Sequence, residues 1–130
     1  MRARLHPFLL VALAMPLLAA CEKSPREKLQ GKWRGVGVER LAGDQAKSAE
    51  GWAKQTTIEF SGSNVTVAIP AEAPQTGTYA VSKVEGDKVT LHFKRSDKTH
   101  EDAADFRFTK DGKLVWSLGS ADVVMTKAID

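Results

Sequence analysis

The sequence predicts an all-β fold: a small antiparallel up-and-down β-barrel of about eight strands behind a short N-terminal helix. Three observations predict it. From Lys32 to Lys127 the apolar residues recur with a period of two instead of 3.6. The runs are short and are separated by compact turn clusters at Ser61–Asn64, Glu85–Asp87 and Lys110–Gly112, which suit sequential hairpins. Each run is apolar on one face and polar on the other, the pattern of a sheet wetted on one side. Such strands bury their apolar faces and lose their exposed edges by closing into a barrel. A two-sheet β-sandwich is the alternative.

Ser24-Pro25-Arg26-Glu27 reads as a helix start, with serine at the cap, proline in the first turn and glutamate placed to complete a capping box. Gly31 stops this helix. A first strand is expected over Lys32–Leu41, with Gly35-Val36-Gly37 allowing it to bend. Ala42–Lys54 is polar and alanine-bearing, a loop or short helix carrying Trp52. Thr56, Ile58 and Phe60 share one face of the next strand, and Val65, Val67 and Ile69 repeat the pattern. Pro70 and Pro74 exclude a central strand over Pro70–Thr76. Tyr79 and Val81, then Val89, Leu91 and Phe93, then Phe106 and Phe108, then Leu114, Trp116 and Leu118 mark four further strands. Ser96–Ala104 reads as a polar loop, and the last strand as Asp122–Lys127.

The N-terminus has a different composition. Met1-Arg2-Ala3-Arg4 is basic, and an apolar run of 14 residues extends from Pro7 to Ala20. A membrane span needs about 20 residues, and Pro16 would kink a helix there. A basic head, an apolar body and a small-residue exit are the organisation of a secretory signal. The expected division is a cleaved signal over residues 1–20, a tether and short helix over 21–30, and one domain over 31–130. Cleavage would remove Arg2 and Arg4 from the 19 basic residues and none of the 16 acidic ones, leaving a net side-chain charge of about +1. The high pI is therefore partly a property of the signal and does not argue for nucleic-acid binding. With one cysteine, Cys21, no disulfide can form within the chain.

Leu18-Ala19-Ala20-Cys21 resembles the lipobox of bacterial lipoproteins. The resemblance implies diacylglyceryl attachment to Cys21, cleavage just before it and acylation of the new amine. Several acyl chains anchor a protein stably where one does not. It implies a domain held by lipid in the periplasm at the outer membrane. Lys23-Ser24 resembles a retention signal, so the inner membrane is the alternative. Leu29-Gln30-Gly31-Lys32-Trp33 resembles the G-x-W entry of the lipocalin and calycin barrels. That resemblance implies that Trp33 closes the barrel floor against a basic residue of the last strand, for which Lys127 stands in position. Thr76-Gly77-Thr78-Tyr79 and Gly86-Asp87-Lys88-Val89 extend the similarity over most of Leu29–Lys127. The chain is shorter than a classic lipocalin and lacks its disulfides.

An eight-stranded barrel can be filled by side chains or hold one small ligand. The expected inward face carries Trp33, Phe60, Tyr79, Leu91, Phe93, Phe106, Phe108 and Trp116. A filled interior is the expectation, because a domain this small can spare little burial. The leading functional expectation is accordingly a non-catalytic interaction or structural module of the cell envelope, with Trp52 as the candidate partner contact. The alternative is carriage of a small apolar ligand by Trp33, Tyr79, Phe93 and Trp116. No cofactor or metal is expected. Asp97, His100, Glu101, Asp102 and Asp105 match no metal-loop spacing and alternate with Lys94, Arg95 and Lys98. No serine sits in a nucleophile elbow, and Gly35-Val36-Gly37 precedes no helix of a dinucleotide site. His92 falls on a polar face.

Overall fold

The computed structural model describes residues 23–96 and 101–128. The expectations for the signal and for Cys21 lie outside these residues, as do Asp97 and His100. Within them the chain forms a closed barrel of eight antiparallel strands in sequential order. They are β1 (Gly31–Glu39), β2 (Thr57–Ser61), β3 (Asn64–Ala68), β4 (Gln75–Glu85), β5 (Lys88–Arg95), β6 (Glu101–Phe108), β7 (Leu114–Ser117) and β8 (Asp122–Lys127). β8 closes on β1 in the register Trp33↔Lys127 to Glu39↔Asp122. Helix α1 (Pro25–Leu29) precedes the barrel and α2 (Gly43–Lys54) connects β1 to β2.

The closed barrel decides against the sandwich. The alternating residues fall as their period demands: Ile58, Phe60, Val65, Tyr79, Val89, Leu91 and Phe106 are buried in one core cluster. α1 forms where its cap predicts, with Ser24 Oγ accepting from the Glu27 N–H at 3.2 Å. The capping box is only half made, because Ser24 Oγ donates to Glu27 Oε1 (3.2 Å) where a box would use the serine backbone.

Several boundaries depart from expectation: Gln75 and Thr76 belong to β4, against the expected exclusion of a central strand over Pro70–Thr76, and Thr56 and Ile69 fall just outside β2 and β3. β1 ends at Glu39, where Arg40 turns the chain with φ of 70°. Leu118 lies beyond β7 and is exposed. Most consequentially, β6 begins at Glu101, so Glu101–Ala104 is strand and not loop. The cause is cross-strand pairing with β5: Lys94 faces Glu101 and His92 faces Ala103. Opposite charges stabilise such a pair, and a polar sequence near a barrel rim meets solvent without cost to the core. The Ala42–Lys54 segment resolves to the helix.

Two bulges shape the barrel. In β1, Val36 is the extra residue between Gly35↔Met125 and Gly37↔Val124. In β4, Ser82 is extra between Val81↔Leu91 and Lys83↔Thr90. Each swings the following residues to the opposite face. Val38 is thereby returned to the inside, opposite Val123, and packs on the core.

Candidate functional site

The register defines two ends. The turns β2–β3, β4–β5 and β6–β7 and helix α1 share one end; the connections 40–56, 69–74 and 118–121, with the adjoining ends of β5 and β6, share the other. The α1 end is shut. Trp33, 2% exposed, stands on its floor and donates its indole N–H to the Leu29 carbonyl at 2.8 Å. Lys127 lies over the Trp33 ring with Nζ 5.4 Å from the centroid and donates to the Gln30 carbonyl at 2.6 Å. The tryptophan and basic residue thus meet as the G-x-W resemblance implied. Gln30 adds a clasp: its Oε1 accepts from the Gly62 N–H (2.7 Å), while Nε2 donates to the Gly62 carbonyl (3.2 Å) and the Tyr79 hydroxyl (2.8 Å).

Above this floor an aromatic series climbs the interior. Tyr79 meets Phe60 edge-on at 4.9 Å, and Phe60 meets Phe106 at 6.4 Å. Phe106 meets Phe93 edge-on at 6.1 Å and stacks on Trp116 at 6.0 Å, with ring planes 13° apart. Trp116 then meets Trp52 of α2 at 6.4 Å. These separations lie in the range where aromatic pairs attract.

The lower interior is filled and the upper interior is not. An open-ended cavity of about 560 Å³ occupies the upper half. Phe93, Phe106, Trp116, Trp52, Val65 and Ile58 form its apolar wall. Its charged lining residues, Lys94, Arg95 and Asp102, sit at the rim ends of β5 and β6. The space has a sequence cause. Inward positions that are aromatic lower down become Ala104 on β6 and Gly77 on β4 at this level. Gly77 is also required by backbone approach, since a Cβ there would lie 2.2 Å from the Lys94 carbonyl oxygen.

Helix α2 supplies one wall. Gly35 lets it in: a Cβ at that position would lie 2.1 Å from the Ala53 carbonyl oxygen. The Gly35 N–H donates to the Thr56 carbonyl at 3.0 Å, and Thr56 Oγ1 donates to the Trp52 carbonyl at 2.9 Å. Ala53 and Thr56 are fully buried by this contact. At the mouth end of β1, Arg40 grips the start of β8 and the preceding connection through Asp122 (2.7 and 3.0 Å) and the Gly119 carbonyl (2.7 Å). Hydrogen bonding from Arg40 holds the Asp122 carboxyl below its usual range, and the same bond raises the guanidinium.

Of the residues expected to bind a ligand, Phe93 and Trp116 line the cavity, whereas Trp33 and Tyr79 lie below it, occupied by the floor. Trp52, expected to face a partner, is half-buried and turned to Trp116. Ala104, Gly77, Val65 and Arg95 line the cavity without having been singled out. The signal that could have found them is the loss of bulk at alternate positions in otherwise aromatic strands; for Ala104 it was hidden by reading that stretch as loop. His92 is exposed, 3.9 Å from Glu101. Asp105 accepts from Thr90 Oγ1 at 2.6 Å, and among the described residues no three His, Cys, Asp or Glu side chains gather as metal ligands. No family model matches the chain, and neither does any curated protein.

Proposed function

We propose that this protein is a non-catalytic, lipid-anchored barrel that carries one small apolar molecule in its upper half. The cavity of about 560 Å³ carries the reading. It falls within the ~300–1,000 Å³ typical of small-molecule sites and has their character, an aromatic and aliphatic wall with polar groups confined to the mouth. A domain of this size forgoes burial by keeping that space open, and an occupant restores it. The interaction-module reading is less well supported, since Trp52 contributes its ring to the cavity wall.

The test is a fluorescence titration with N-phenyl-1-naphthylamine, an uncharged apolar probe. Saturable uptake at one site per chain, with transfer from Trp52 and Trp116, is expected; unsaturable, weak enhancement refutes the proposal. The anchor is proposed from Leu18-Ala19-Ala20-Cys21. Cys21→Ser should release the protein from its membrane, and unchanged fractionation would refute lipidation.

A further inference from the structure

The two ends of the barrel differ in charge. The α1 end comprises residues 23–33, 59–66, 79–91, 105–115 and 125–128, and carries ten basic and six acidic side chains. The rest of the described chain carries six basic and seven acidic ones. Among the described residues, folding therefore gathers a mixed sequence into about +4 at the floor and about −1 elsewhere. Three of the six floor acids are already met by lysines of the same end, in the pairs Lys83–Glu85, Lys88–Asp105 and Lys113–Asp111.

The cations of the floor are also placed for contact. Arg26 lies over Tyr79 (5.9 Å), Lys28 over Phe108 (5.5 Å) and Lys127 over Trp33 (5.4 Å). Their charged heads sit over the rings on side chains that remain exposed. Val84, 48% exposed, adds an apolar group at the same end. The preceding 22 residues join the barrel here, through Lys23 and α1.

We infer that the α1 end docks on an anionic phospholipid bilayer, with the cavity mouth directed away from it. Charge complementarity and the position of the N-terminal segment select this occupant: a basic patch beside a segment proposed to carry the lipid anchor is attracted by acidic headgroups, and the inference rests on that proposed anchor. A membrane facing the mouth would instead meet Glu72, Glu101 and Asp102 beside Lys94 and Arg95, a rim with no net positive charge among the described residues. This inference is independent of what the cavity holds.

The test is amide hydrogen exchange of the full chain reconstituted into phosphatidylcholine vesicles with or without phosphatidylglycerol. Anionic lipid should slow exchange in turns 62–63, 86–87 and 110–112 on the order of tenfold or more, leaving 69–74 and 118–121 unchanged. Raising the salt concentration should remove the slowing. The triple variant Lys23→Glu, Lys28→Glu, Lys110→Glu should abolish it. Lys47→Glu, Lys54→Glu, Lys94→Glu, with the same overall charge at the other end, should retain it. Unchanged exchange in strand amides shows that both variants are folded. Equal exchange in neutral and anionic vesicles, protection at 69–74 and 118–121, or insensitivity to both salt and the floor substitutions overturns the inference.

Discussion

Replacing Ala104 by phenylalanine separates binding from stability. Ala104 points inward on β6, one inward position above Phe106 and opposite Leu91, at the level where the cavity begins. A phenyl ring placed there enters open space, in contrast to the packed core below. Overpacking, which costs about 1–3 kcal/mol in a filled core, should therefore be small. Burial of the ring contributes up to about 1.5–3 kcal/mol, and an aromatic residue suits a strand better than alanine. Stability should stay level or rise. Binding should fall, because the ring takes the place of about three methylene equivalents of ligand at about 0.8 kcal/mol each, near 2.5 kcal/mol. That is on the order of a 70-fold loss in affinity. The assay is the naphthylamine titration beside urea unfolding followed by tryptophan fluorescence. Ala80→Phe, on the exposed outer face of β4, is the matched control and should bind like the wild type. Undiminished affinity in Ala104→Phe, or an equal loss in Ala80→Phe, would refute the assignment of the cavity as the site.

Gly35→Ala should cost about 3 kcal/mol or more in chemical denaturation, the upper end of overpacking, because the new methyl meets the Ala53 backbone and no mobile side chain. It should also red-shift tryptophan emission as α2 leaves the wall. Lys127→Met keeps an apolar stem beside Gly31 but loses the ring–cation contact and the bond to the Gln30 carbonyl; a loss of about 1–2 kcal/mol is expected by urea unfolding. Asp122 has a folded-state pKa below its unfolded value, chiefly through Arg40. Its contribution is therefore complete at neutral pH and is lost as the pH falls from about 4 through the depressed value. Asp122→Asn should flatten that part of the stability–pH curve, and an identical curve would show that the pair contributes nothing.

The sequence by itself determined the fold class, most of the strands and their order. Period-two alternation sets which side chain faces inward, and the short turn clusters leave adjacent strands no partner but each other. Trp33 and its distant partner Lys127 were legible through the G-x-W resemblance, and the Leu29 carbonyl that seats the indole is a close chain neighbour. The cavity was not legible. It depends on what stands across the barrel from Ala104 and Gly77, on a helix admitted only because Gly35 lacks a side chain, and on two bulges that redirect the residues beyond them. The local signals, lost bulk at alternate positions and the paired glycines of β1, do not say that the space stays open, since each feature is a meeting of segments distant in sequence. The charge polarity is likewise tertiary: Lys28, Lys88, Lys110 and Lys127 lie far apart along the chain and share one end only because up-and-down strands return every second turn to the same side. Local periodicity specified the barrel; closure decided which half of it is hollow and which end is charged.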